Sequence, residues 1–136
     1  MENSLLLLDM MRTFLQMDEK LRERLQQRGW PSITRSQSMV LANVANGVTR
    51  ASRLAENLGV TRQAMSQLLA DMVKKGLIEL IPDPDHGRAQ LVQFAPQADG
   101  IREDARRVLR DLEAELEISI GAQQMASLRQ AFEQLA

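Results

Sequence analysis

The sequence contains no cysteine, which excludes a disulfide framework, a thiolate metal site and a cysteine redox switch. Aromatic residues are almost as scarce, being Phe14, Trp30, Phe94 and Phe132 alone. The interior must therefore be filled by Leu, Ile, Val, Ala and eight flexible methionines. Long apolar runs are missing too: Leu5–Leu8 is followed at once by Asp9 and Arg12, which is too short for a membrane span, and no basic start or cleavage signal accompanies it. A cytoplasmic chain with no membrane partner is expected. The net charge of −1 argues against a general polyanion binder, since nonspecific nucleic-acid affinity needs clustered Lys and Arg. The single His stands in a loop, and there is no glycine-rich phosphate cradle or metal-spaced carboxylate cluster. No catalytic residue, metal site or cofactor is expected, and Glu113 and Glu117 read as a solvated helix face.

What the chain has is 136 residues with 44% apolar and 26% charged side chains, the balance of one globular folding unit. From Glu2 to about Arg28 no Pro or Gly interrupts, and Leu7, Met11, Phe14, Leu21 and Leu25 recur at helical spacing. Gly29-Trp30-Pro31 ends that helix. Thr34-Arg35-Ser36-Gln37 has capping-box form and predicts a second helix to about Ala45. Asn46-Gly47 breaks it, and Thr49 is expected to cap a short third helix that ends at Gly59. Thr61 caps a fourth, running to about Lys75 and burying Met65, Leu68, Leu69 and Met72. Two helices joined by a tight Gly turn form a helix-turn-helix.

After Gly76 the period changes. Leu77–Ile81 and Gln90–Phe94 read as strands, joined by the turn-rich Pro82–Ala89, so a hairpin completes a winged helix-turn-helix. Pro96 starts another helix carrying Ile101, Ala105, Val108, Leu112 and Leu116, and after Gly121 a last one carries Met125, Leu128, Phe132 and Leu135. The fold class is mostly α with a small β-hairpin wing. Residues 1–33 form the N-terminal helix, 34–95 the winged lobe and 96–136 the C-terminal helices, all within one folding unit.

Several stretches carry a family resemblance: Ile33-Thr34-Arg35-Ser36-Gln37; Leu54-Ala55-Glu56-Asn57-Leu58-Gly59-Val60-Thr61-Arg62; Leu68 to Ile78; and, closest, Asp83-Pro84-Asp85-His86-Gly87-Arg88-Ala89-Gln90-Leu91-Val92. Together with long helices at both ends, they make the chain resemble the MarR family of bacterial winged-helix regulators over nearly its whole length. The resemblance implies a homodimer held by its terminal helices, binding a pseudo-palindromic operator, often as a repressor released by a small aromatic or amphipathic effector. One departure is Gly87, where many relatives carry a second basic residue in the wing tip. Minor-groove contact then rests on Arg88.

The first two turns of a recognition helix face base edges in the major groove of double-stranded DNA. Here they offer Thr61, Arg62, Gln63, Ser66 and Gln67; Arg pairs bidentately with guanine and Gln with adenine. The plainer alternative is a cap followed by a solvated helix face. Arg50 and Arg53, at the start of the third helix, are candidates for phosphate contact. In the wing, Arg88 projects toward a narrow minor groove. Asp85 is repelled by phosphate, so a structural role is expected for it, accepting loop N–H groups or pairing with Arg88. His86 reads as a solvated turn residue. Residues 34–95 hold seven basic side chains against five acidic ones, a net of +2, while the remainder carries −3. Basicity thus sits with the motif.

The terminal helices bear apolar stripes at Leu7, Met11, Phe14, Leu112, Leu116, Met125, Leu128 and Phe132, assigned to dimerisation because the lobe's core is supplied by the middle helices and hairpin. Two copies would place recognition helices about 34 Å apart, one helical turn of DNA. Trp30 and nearby Met and Leu side chains are candidates to line an effector cavity. A second function class is a winged-helix protein-interaction module that does not bind DNA, favoured by the near-neutral charge and the single wing arginine.

Overall fold

End signals and apolar spacing resolve into six helices and one hairpin over residues 4–136, the residues described by the computed structural model. Helix α1 spans Leu6–Gln27; its expected start at Glu2 lies outside the described residues. Helix α2 (Arg35–Ala45) begins at the expected capping box. Thr34 Oγ1 accepts from the Gln37 N–H at 3.2 Å, and Gln37 Oε1 accepts from the Thr34 N–H at 3.0 Å, so two donors that a helix start leaves orphaned are satisfied reciprocally.

Helix α3 (Ala51–Leu58) follows, but Thr49 does not cap it: the residue before the helix is Arg50, and no side chain caps. The backbone of Thr49 and Arg50 is drawn into the sheet. The Thr49 carbonyl accepts from the Val92 N–H at 2.7 Å, and Arg50 bridges to Leu91 in antiparallel fashion. A rung of sheet hydrogen bonding has displaced the local cap. Gly59 closes α3 in the left-handed region (φ +69°), where a side chain would meet its own carbonyl. Thr61 then caps α4 (Arg62–Lys74), its hydroxyl accepting from the Ala64 N–H at 3.0 Å.

Strands β1 (Ile78–Pro82) and β2 (Gln90–Phe94) pair antiparallel, with Ile78 opposite Phe94 and Pro82 opposite Gln90. Pro96–Ala98 forms one 3-10 turn before α5 (Asp99–Ile120), and α6 (Ala122–Leu135) completes the chain. Pro96 thus starts a tighter turn than expected, with the α-helix proper beginning at Asp99.

Leu54, Met65, Met72, Leu77, Ile78, Val40 and Val92 are fully buried between α2, α3, α4 and the hairpin. The same cluster continues through Leu25 of α1 and Ile101, Val108 and Leu112 of α5, so the lobe and the long helices share one core. This corrects two dimerisation assignments. Leu112 is 3% exposed and Met125 7% exposed within a single chain: α5 turns Leu112 into the shared core, and α6 lays Met125 inward. Leu116 is half-buried. Leu7, Met11, Phe14, Leu128 and Phe132 remain exposed, as do Leu5, Leu6, Ile118 and Leu135. Among the described residues, no helix is long and apolar enough to cross a membrane.

Candidate nucleic-acid interface

Helix α4 is divided by its own periodicity. Met65, Leu69 and Met72 are buried and Leu68 is half-buried, while Thr61, Arg62, Gln63, Ser66 and Gln67 are all exposed. Spacings of three and four put the apolar set on one face and the polar set on the other. Arg62 has no acidic partner within ion-pair distance among the described residues. The face therefore carries a free guanidinium, two amides and two hydroxyls at the N-terminal end of a helix, the donor and acceptor set that can read base edges.

The wing loop between β1 and β2 is built by its own backbone. The Asp83 N–H donates to Ala89 O at 2.9 Å, the His86 N–H to Asp83 O at 3.3 Å and the Ala89 N–H to His86 O at 3.0 Å. The structural role expected of Asp85 falls to Asp83. Asp83 is buried, and its Oδ1 accepts from the Asp85 N–H at 2.9 Å, an Asx turn. Asp85 contributes its backbone alone; its side chain is exposed and forms no ion pair with Arg88 among the described residues. The substitution of roles has a simple cause. Asp83 sits at the root of the loop, next to the sheet, where its carboxylate is enclosed, whereas Asp85 is at the solvated tip.

The other carboxylate oxygen of Asp83 faces Arg50, whose Nε lies 3.2 Å from Oδ2. Its N–H is not aimed at that oxygen, which receives no directed hydrogen bond, so the contact is a charge pairing. Arg50 thereby anchors the wing root to α3 while keeping about half of its side chain exposed. Arg53 lies 3.6 Å from Glu56 across one helical turn, both well exposed, a pairing weak enough to yield to a phosphate. Arg88 and His86 are exposed at the tip, and Gly87 between them leaves the tip open.

A separate cleft of about 570 Å³ opens between α1, α2 and α5. Leu21, Leu25, Leu41, Phe94 and Ile101 form its apolar wall, with Arg22, Arg102, Arg106 and Arg110 among its polar lining. Arg102 lies over the Phe94 ring, 5.2 Å from its centroid, a cation–π placement. Neither Trp30 nor any Met lines this cleft, contrary to the expectation for that junction. Trp30 instead donates from Nε1 to Asp104 Oδ2 at 2.8 Å, and its ring packs so closely on Gly100 that an added Cβ there would lie 3.3 Å from it. The indole is a pin between the end of α1 and α5. The cleft lining was not legible in sequence because it is assembled from three helices and a strand distant in the chain.

A family model described as the MarR family matches residues 32–89, from the start of the winged lobe to the end of the wing loop, stopping before β2. No curated protein matches the sequence significantly. Among solved structures, wild-type MarR from E. coli in its apo form is 25% identical, with 97% of each chain covered and a TM-score of 0.79. A MarR mutant from E. coli in complex with operator DNA is 25% identical, covering 93% of this chain and 89% of that one, with a TM-score of 0.70. A transcriptional regulator from Thermotoga maritima, 17% identical, shares the fold over 93% of this chain and 87% of its own, with a TM-score of 0.66.

Proposed function

The chain belongs to the MarR family of winged-helix transcriptional regulators, and from that premise we propose that it binds a pseudo-palindromic operator as a homodimer and acts as a repressor. Membership in this family sets it among transcriptional regulators and not among enzymes. The observation that carries the DNA reading is the exposed polar face of α4, with Arg62, Gln63, Ser66 and Gln67 backed by the buried Met65, Leu69 and Met72. In this reading Arg88 enters the minor groove beside it, and Arg50 and Arg53 meet phosphates, Arg50 while still holding the wing. A MarR relative solved on operator DNA supports the same use of the fold.

Homodimerisation is supported by the apolar side chains that α1 and α6 leave in water. Leu7 is 73% exposed and Phe132 49%, and apolar stripes of this extent on terminal helices gain stability when a second copy covers them. In this reading residues 1–33 and 96–136 build the dimer region and 34–95 the DNA-binding lobe. The cleft between α1, α2 and α5 has the size and the apolar wall of a small-molecule site. Its arginines suit an amphipathic or aromatic effector with an anionic group, bound where the lobe meets the long helices.

Mobility-shift titration with fragments of the source genome tests the proposal. A saturable complex that weakens steeply with salt is expected. Affinity capture that repeatedly retrieves one protein and never DNA would instead favour a protein-interaction module.

A further inference from the structure

The start of α2 holds a polar node that the base-reading face does not use. Asp18, on α1, is only 6% exposed, yet both carboxylate oxygens are occupied. Oδ1 accepts from the Ser38 hydroxyl at 2.7 Å; Oδ2 accepts from Arg22 Nε at 2.9 Å and lies 3.6 Å from Arg35 Nε. Arg22 also donates from Nη1 to Ile33 O at 3.3 Å. One residue before Ser38, the buried Gln37 is engaged from the other side: its Oε1 accepts from Lys75 Nζ at 2.9 Å, and Lys75 Nζ also donates to Ser32 O at 2.6 Å. Lys75 is the C-cap residue directly after α4, its own N–H bonded back to Asp71 O of the last turn. The first turn of α2 is thus bonded to α1 through Asp18 and to α4 through Lys75.

Apolar packing is non-directional and tolerates small slides, whereas charge-assisted hydrogen bonds hold one geometry. Removing one partner from a buried charge also leaves the other unpaired, so the node resists partial opening. We infer that this node is the joint that fixes the tilt of α4 relative to α1, with Asp18 and Lys75 as positioning residues that set the half-site spacing the dimer accepts. The spacing consequence rests on the DNA-binding dimer proposed above; the joint itself is a property of one chain. Leverage makes the tilt matter. Thirteen helical residues extend roughly 20 Å. A swing of about 10° around the Lys75 end therefore carries the Arg62 end by roughly 3.4 Å, one base-pair step.

The absence of cysteine makes the test clean. Spin labels are placed at Glu23→Cys on α1 and Gln67→Cys on α4, both exposed, and the labelled chain is diluted in unlabelled chain so that only distances within one chain are read. The parent should give a narrow distance distribution. Asp18→Asn and Lys75→Met should at least double its width, and Ser38→Ala should broaden it where Ser38→Thr, which keeps a hydroxyl, does not. Distributions as narrow as the parent's in all three weakened variants, at unchanged melting temperature, overturn the joint; if Asp18→Asn fails to fold, the Ser38 pair and Lys75→Met decide. In a second arm, unlabelled protein is titrated on a duplex selected by the parent from a random pool, and on the same duplex with its half-sites moved by one base pair. The parent should lose at least tenfold in affinity, and the weakened variants less than threefold while keeping their affinity for a single half-site. Equal losses in parent and variants contradict the spacing role. A parent that selects no duplex contradicts the DNA reading, while the distance arm still decides the joint.

Discussion

Arg50 Nε lies 3.2 Å from the buried Oδ2 of Asp83, so the first residue before α3 is tied to the root of the wing. The same stretch of backbone is bonded to β2 through Thr49 and Val92. Wing and helix-turn-helix are therefore joined at two adjacent points. Arg50→Ala leaves a buried carboxylate without its cation and is expected to cost about 1–3 kcal/mol. Asp83→Asn removes the charge but keeps an acceptor for the Asp85 N–H, and should cost less. Urea unfolding of the two variants checks the order.

A second prediction separates cap from reading surface. Thr61→Ala removes the acceptor for the Ala64 N–H and should lower stability by about 1 kcal/mol. Thr61→Ser keeps that bond and should restore most of it. Thermal melts of both, without DNA, measure the cap alone.

Caps of this kind are legible because they are local. Thr34 and Thr61 each bond a backbone N–H three residues on, and residue order alone reveals the pairing. Thr49 has the sequence form of a cap, but its partner, Val92, is far along the chain, and a sheet rung outweighs a local hydroxyl bond. The wing root is decided by the same kind of distant contact. Asp83 and Asp85 are chemically alike, and only the fold decides which is enclosed beside Arg50. Apolar spacing likewise revealed stripes on α5 and α6 without saying what covers them. Leu112 and Met125 are covered within the chain, while Phe14 and Phe132 are left exposed.

That difference gives a third prediction. Leu112→Ala should destabilise the fold by about 2–5 kcal/mol at any protein concentration, as expected for a cavity in a packed core. Phe132→Ala should leave the chain folded and shift sedimentation toward monomer at low concentration. The opposite pattern, an oligomer defect from Leu112 and none from Phe132, would remove α6 from the dimer contact.

A fourth concerns acid. Arg24 on α1 reaches Glu115 on α5 through two hydrogen bonds, at 2.6 and 2.8 Å. Those bonds, the largest influence, hold the Glu115 carboxyl below its ordinary value of 4.5; desolvation opposes them, and the nearby charges of Arg24 and Lys20 add smaller help. Because the folded value lies below the unfolded one, the link contributes fully above that ordinary value and is lost as pH falls through the folded one. Glu115→Gln should therefore match the wild-type slope of melting temperature near neutral pH and show a shallower decline below about pH 4.5.

Joint reading of DNA by α4 and the wing is decided by anisotropy titration of a labelled duplex selected from genomic fragments. The wild type should bind saturably, with affinity falling as salt rises. Arg62→Ala should weaken binding by about 1–3 kcal/mol, roughly 5- to 150-fold, through loss of a base contact. Arg88→Ala should weaken it as well and reduce the salt slope. Undiminished affinity in both variants on that duplex, with the fold intact, would mean that neither α4 nor the wing reads DNA.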